Sequence, residues 1–373
     1  MGPQGDPQAE ARRLAARWVR PQVRALRPYA VPPAGDLVKL DAMENPYRWP
    51  PELVEAWLER LRRVPLNRYP DPEAAALKAA LRRVLGVPEA AGLVLGNGSD
   101  ELIQMILLAV AGPGRVALAP EPTFSMYRIL AAACGLDYVG VPLGEGFALD
   151  GPALLEALAR HRPAVLFLAY PNNPTGNLFD RAWMERLLEA APGLVVVDEA
   201  YAPFCDASFL DRAGAHPRLL VLRTLSKLGL AGLRLGLLAG PGPWLEEIGK
   251  LRLPYNIGVL TQASALFALE HWEVLEGQAR RIRADRERLA QALGARPGVR
   301  AVYPSQANFL LFRVGRAPAV FEGLRRRGVL VRLLEGAGPG LEGCLRVTVG
   351  TPEENAAFLE ALDGALAEAE GAR

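Results

Sequence analysis

LVVVDEAYAPF at Leu194–Phe204 and LLVLRTLSKLGLAGLRLG at Leu219–Gly236 decide how this chain of 373 residues folds. Each is a run of aliphatic residues that ends in polar groups. Val195–Val197 leads into Asp198 and Tyr201, and Leu219–Leu222 leads into Thr224, Ser226 and Lys227. Such continuous apolar strands belong to a parallel sheet covered on both faces, and ligands of these sheets sit beyond the strand ends. Lys227 stands out by residue type. The chain holds 43 Lys+Arg, of which only Lys39, Lys78, Lys227 and Lys250 are lysine. A guanidinium keeps its proton in a protein, whereas a desolvated lysine amine can lose one and become a nucleophile. A surface lysine after a strand would account for the position by itself; the neighbouring residues point to chemistry.

Outward from this stretch, strand and helix alternate. LVLGNGSDELIQMILLAV at Leu93–Val110 reads as strand, glycine turn and helix, with Ser99 or Asp100 as the helix cap. Further strands are expected at Val116, Asp137, Val165, Leu194, Leu219 and Leu235, with helices between most of them, including Ala153–Arg160 and Ala182–Glu189. The expected fold is α/β: a large domain with a mostly parallel seven-stranded sheet flanked by helices. A smaller α+β domain is formed by the C-terminal part and the N-terminal segment. Its long helix spans Trp272–Leu293, its strands Val299–Tyr303, Phe309–Arg313, Val329–Arg332 and Leu345–Val349, and its other helices Ala317–Arg327 and Glu353–Glu368. This divides the chain into a segment 1–45, a large domain 46–257 and a small domain 258–373. The segment begins as an arm with an amphipathic patch at Leu14–Val19. Between arm and sheet, the helix within Asp71–Gly86 is expected to carry Pro72 in its first turn.

Composition narrows the function. A net charge of +2 with no long basic block argues against nucleic acid. No apolar run reaches membrane-spanning length, and the first twenty residues lack a signal-peptide core, so the sequence reads as cytoplasmic. Cys134, Cys205 and Cys344 lie far apart and the three histidines do not cluster with them, which disfavours a disulfide framework or a metal site.

The residue types around Lys227 match the needs of pyridoxal phosphate (PLP). Its aldehyde takes a lysine, and its pyridine nitrogen takes a buried carboxylate, for which Asp198 at a strand end is placed. Tyr201 and Asn173 of the NNPTG turn are candidates for the phenolic oxygen, although an Asn-Pro turn is common by itself. The turn at Gly96–Asp100 offers helix N–H groups to a phosphate, joined by Thr224, Ser226 and Arg234. Phe124 in EPTFSMY is a candidate to stack on the ring, or is simply core.

With MENPY at Met43–Tyr47, NRYP at Asn67–Pro70, NNPTG, DEAY, TLSK followed by GLR, and CLRVTVGT from Cys344, nearly the whole chain resembles fold type I PLP-dependent aminotransferases. RPY at Arg27–Tyr29 and the forms NRYPDP, LRTLSK and CLRVTVG resemble their histidinol-phosphate aminotransferase branch. That resemblance implies a homodimeric PLP enzyme of histidine biosynthesis, converting imidazole-acetol phosphate and L-glutamate to L-histidinol phosphate and 2-oxoglutarate. It implies Lys227 as Schiff-base lysine and proton shuttle, Asp198 as pyridinium partner, and Tyr201 and Asn173 as phenolate ligands. It further implies that the Ser99 and Asp100 backbone, Ser226 and Arg234 hold the phosphate, with Tyr69 reaching in from the other subunit. Tyr29, Arg332 and Arg346, with Asn173, would meet the substrate. Arg234 lies seven residues after Lys227, one fewer than the resemblance leads one to expect. Aromatic amino-acid aminotransferases and phosphothreonine-type PLP decarboxylases share these motifs and remain alternatives.

Overall fold

The computed structural model describes residues 6–28, 33 and 35–371. Its centre is a seven-stranded sheet. With β1 at Val38–Lys39, the strands of this sheet are β2 (Gly92–Asn97), β3 (Val116–Glu121), β4 (Asp137–Pro142), β5 (Val165–Ala169), β6 (Leu194–Asp198), β7 (Leu219–Thr224) and β8 (Leu235–Gly240). They lie in the order β2-β8-β7-β6-β5-β3-β4. Strands β7, β6, β5, β3 and β4 are mutually parallel, and β8 runs antiparallel to β2 and β7. Every residue of β5 and β6 is buried, as their unbroken VLFLA and LVVVD runs require. Helices Ser99–Val110, Gly151–His161 and Arg181–Ala190 cover the two faces with buried stripes of Leu, Ile and Met.

The small unit holds an antiparallel sheet of β12 (Arg332–Leu333), β13 (Cys344–Thr348), β10 (Phe309–Val314) and β9 (Val299–Val302), in that order. Helices Ala317–Arg326 and Pro352–Gly371 pack against it. The N-terminal strand β1 pairs in parallel with β11 (Val329–Leu330), so the chain's beginning is stitched to its end. One apolar cluster runs from Leu77 and Leu225 through Ile282 to Phe312 and Phe358, so a single core joins the two units.

Three local expectations need correction. Pro72 precedes its helix, which begins at Ala75; Asp71 Oδ2 accepts the Ala75 N–H (2.7 Å) and Ala74 takes a left-handed φ of 47°, so the chain turns once more before the helix starts. The cap of Ser99–Val110 is Gly98, not Ser99 or Asp100: it has φ 82°, and a β-carbon there would lie 2.6 Å from Arg234 Nη2. The span Val329–Arg332 is two strands, because β11 pairs with β1 while Arg332 pairs with β13. A further helix, Val259–Glu270, packs on helices Pro51–Leu61 and Ala75–Leu85. The N-terminal arm forms helices Pro7–Trp18 and Pro21–Ala25 with no buried residue, and Arg20 donates to the Ala133 carbonyl.

Candidate active site

Asp198 ends β6 and Thr224 ends the adjacent β7, and Lys227 follows in the tight turn Ser226–Leu228. Their side chains share a cavity of about 110 Å³, walled also by Ser99, Asp100, Phe124, Asn173, Tyr201, Ser226 and Arg234. All ten of these sequence-selected residues therefore meet at one place, beyond the ends of the parallel strands. A larger hollow of about 430 Å³ also borders Thr224, but it offers no lysine. Its Arg223 is spent on Glu199, and its Arg283 on Asp206 and the Pro203 and Cys205 carbonyls.

Asp198 is buried, and that burial raises its carboxyl pKa to about 6. Its Oδ2 accepts the Tyr127 hydroxyl at 2.6 Å and its Oδ1 accepts the Ala200 N–H at 3.1 Å. A carboxylate has room for further donors, so one capable of giving it a charged N–H would be welcome here. Tyr127 was missed by sequence reading. Burial and the neighbouring Asp198 push its phenol well above its ordinary pKa, so it remains a donor. A signal for it is its place three residues after Phe124: Phe124 lies just before the helix Met126–Cys134 and Tyr127 in its first turn, and a buried tyrosine hydroxyl needs a partner. Glu199, next in sequence, faces away and binds Arg223, Ser208 and the Phe209 N–H.

Lys227 Nζ approaches the Ala42 carbonyl at 3.4 Å and lies 5.8 Å from the Tyr201 ring centroid. Burial first, then the Arg346 guanidinium, lowers its pKa to about 8. The amine thus gives up its proton more readily than an ordinary lysine, which is what a nucleophile and proton carrier requires.

At the opposite end the first turn of Ser99–Val110 turns its N–H groups into the cavity region beside Ser226 and Arg234. Thr224 Oγ1 accepts the Ser226 N–H at 3.1 Å and lies 2.9 Å from the Ser226 hydroxyl, which fixes that turn. Arg234 is in the left-handed region (φ 49°, ψ 49°), and its Nη2 lies 3.7 Å from Asp100 Oδ2. The short Lys227-to-Arg234 connection therefore still brings the guanidinium to the helix N-terminus. Gly236 leaves the room: a β-carbon there would lie 2.7 Å from Ser99 N.

On the third side Asn173 Nδ2 donates to the Tyr201 hydroxyl (3.1 Å), while Arg346 Nη1 donates to Asn173 Oδ1 (2.5 Å) and Nη2 to the Asp41 carbonyl (2.9 Å). Arg346 is buried and lies over Phe309. Arg332 does not line the cavity; it sits directly across from Arg346 in the β12–β13 ladder, so the two side chains leave the same sheet face. Tyr69 is not in the cavity of its own chain: it is 80% exposed and stacks on Tyr255 at 4.3 Å. Tyr29 lies outside the described residues.

The donor set suits PLP. Asp198 is a buried carboxylate with spare acceptor capacity. The helix N-terminus, Ser226 and Arg234 form a cradle of positive potential, and glycine at Gly98 and Gly236 keeps it open. Asp100 would serve a phosphate through its backbone N–H, since its carboxylate only accepts and faces Arg234. No group of three or more His, Cys, Asp or Glu side chains able to hold a metal occurs among the described residues.

Known proteins share this chain's sequence and fold. A Nitrosococcus oceani protein named histidinol-phosphate aminotransferase 2 is 58% identical over 349 residues, covering 93% of this chain and 97% of its own. A Ralstonia nicotianae protein named histidinol-phosphate aminotransferase 1 is 55% identical over 358 residues, covering 95% and 96%. The crystal structure of histidinol-phosphate aminotransferase from Sinorhizobium meliloti in complex with pyridoxal-5'-phosphate shares the fold, with a TM-score of 0.85 at 24% identity over 94% of this chain and 98% of that one. Residues 35–362 match the family described as aminotransferase class I and II. With a lysine and a carboxylate on adjacent strand ends, and family likeness over almost its full length, the chain belongs to the aminotransferase class I and II family, on the branch of its histidinol-phosphate aminotransferase relatives.

Proposed function

We propose that this enzyme moves an amino group between L-glutamate and imidazole-acetol phosphate, yielding 2-oxoglutarate and L-histidinol phosphate, with PLP as its cofactor. The observation that carries the reading is the convergence, in one cavity, of a lysine amine with a lowered pKa, a buried carboxylate and an anion cradle. When bound, PLP supplies a carbonyl that takes up the amino group and a ring that accepts the electron pair left as the substrate's α-proton departs.

The protein's side chains do the rest. Asp198, held by Tyr127 and the Ala200 N–H, would bind the ring nitrogen and keep its proton in place. Asn173 and Tyr201 would hold the phenolic oxygen, Phe124 the ring face, and the Ser99 and Asp100 N–H groups with Ser226 and Arg234 the phosphate. Lys227 Nζ carries the proton; with a pKa near 8 it is populated both as base and as acid close to neutral pH, where general acid–base transfer is most effective. Arg346 orients the substrate. Its planar fork suits either a carboxylate or a phosphate, and with Arg332 on the same sheet face it would serve both half-reactions.

The functional unit on this reading is a homodimer in the cytoplasm. Leu66 (71% exposed) and Leu253 (68%) lie near the Tyr69–Tyr255 stack, an apolar surface of the kind a second copy covers. Tyr69 would then complete the phosphate cradle of the neighbouring subunit. Specificity is tested by comparing kcat/KM for histidinol phosphate, phenylalanine and phosphothreonine. Histidinol phosphate should be best; preference for phenylalanine would make the enzyme an aromatic aminotransferase, and carbon dioxide release from phosphothreonine would make it a decarboxylase.

A further inference from the structure

The stretch Asp41–Tyr47 passes the cavity as a strap, with Met43 in the cavity wall. Two residues of this strap, Asp41 and Met43, are gripped by three side chains of the small unit. Arg346 Nη2 donates to the Asp41 carbonyl (2.9 Å), Met43 N–H donates to Thr348 Oγ1 (2.9 Å), and Asn308 Nδ2 donates to the Met43 carbonyl (2.9 Å). Thr348 and Asn308 are buried. Farther along, Asn45 Nδ2 donates to Gln278 Oε1 and the Tyr47 hydroxyl to Asp285. Met43 has φ 51°, a left-handed conformation that a residue with a side chain adopts only when its surroundings hold it. Between the gripped residues Asp41 and Met43 lies Ala42, whose carbonyl meets Lys227 Nζ.

Building on the proposed role of Lys227, we infer that Thr348 and Asn308 are positioning residues for it: by fixing both backbone groups of Met43 they keep the Ala42 carbonyl aimed at the Lys227 amine. Thr348 and Asn308 touch neither Lys227 nor the cavity, so they act through the strap alone. The acceptor favours the protonated amine and directs one of its N–H bonds, which leaves the others free to face the reacting atoms. The charged groups around the amine set the rest of its balance. Arg346 and Arg234 oppose its charge, Glu44 on the strap and Asp100 on the helix favour it, and Tyr201 presents its ring face. Glu44 is itself tied to Lys39 at 2.6 Å, so the strap delivers both an acceptor and a screened carboxylate.

The test uses the cofactor-free full chain. The rate of acylation of each lysine by acetic anhydride is followed against pH and read by peptide mass spectrometry, with Lys39, Lys78 and Lys250 as internal references. Removing the Thr348 hydroxyl with Thr348→Val leaves Met43 N–H unpaired and frees the strap; the Lys227 midpoint should fall by about half a pH unit, within the range of one ordinary hydrogen bond, as suits a contact of 3.4 Å. Thr348→Ser retains the acceptor and should keep the parental midpoint. Asn308→Ala removes the second grip, should shift the midpoint the same way, and carries the test should Thr348→Val fail to fold by near-ultraviolet circular dichroism. An unmoved midpoint in folded Thr348→Val or Asn308→Ala overturns the inference, as does a serine variant that shifts as far as valine. A parental Lys227 that titrates together with the three reference lysines overturns the proposed role of Lys227 as well.

Discussion

Asp198→Asn turns the cost of burying a charge into something measurable. Burial raises the carboxyl from 3.8 to about 6, so folding with an ionised Asp198 costs roughly 3 kcal/mol at neutral pH before the cofactor binds. Because the folded-state value lies above the unfolded one, stability from this group is complete below about pH 4 and is lost as pH rises through about 6. Asparagine removes that dependence. Its amide can still accept the Tyr127 hydroxyl, but it then turns an NH2 toward the Ala200 N–H, and this unpaired donor costs about 1 to 3 kcal/mol at every pH. The two contributions separate by pH. Relative to the parent, the cofactor-free variant should gain about 2 kcal/mol between about pH 4.5 and 7.5, whatever the constant loss. Urea unfolding of both proteins at the two pH values measures this difference directly. The loaded enzyme should show the opposite preference, since a positive ring nitrogen welcomes the carboxylate; cofactor affinity and turnover should both fall in the variant. A stability difference independent of pH would refute the reasoning, because Asp198 would then not be a buried ionised group.

Tyr127→Phe deletes the hydroxyl that stabilises ionised Asp198, so the acid limb of the kcat profile should move up by about one pH unit; an unmoved limb would make Tyr127 a packing residue. Arg346→Ala should weaken glutamate and histidinol phosphate alike, each by about one to two decades in kcat/KM, as expected for a lost charge-assisted bond, whereas Arg332→Ala should fall harder on the phosphate substrate. Mixing Tyr69→Phe and Lys227→Ala subunits should restore activity in hybrids, in which one of the two sites has both residues intact. Restoration no greater than in unmixed controls, with subunit exchange verified by mass spectrometry and Tyr69→Phe impaired alone, would argue for separate sites.

Much of this architecture is legible because the local and global signals coincide. The runs before Asp198 and Lys227 are apolar on both faces, so they read as central parallel strands, and their ends are the natural ligand positions. The scarcity of lysine singles out Lys227. Other features are hidden for physical reasons. Tyr127 is hidden because residue type does not reveal which buried hydroxyl finds a carboxylate. Ala42 contributes a carbonyl, and a backbone group leaves no mark on residue type. The helix after Asp71 starts late because the aspartate caps a turn whose left-handed residue is an alanine, a choice that no propensity favours. The break between Leu330 and Arg332 depends on which partner strand lies alongside, information that resides at the opposite end of the chain.

The central claim is that Lys227 runs an amino-group transfer on a phosphorylated amino alcohol. Its most direct test is a single half-reaction: PLP-loaded enzyme is mixed with L-histidinol phosphate and no oxo acid, and product and cofactor are quantified by mass spectrometry. One equivalent of imidazole-acetol phosphate should appear per site, with the cofactor recovered as pyridoxamine phosphate, and Lys227→Ala should yield neither. Carbon dioxide release from phosphothreonine with no keto product from histidinol phosphate, or an equivalent of keto product from Lys227→Ala at the parental rate, would contradict it.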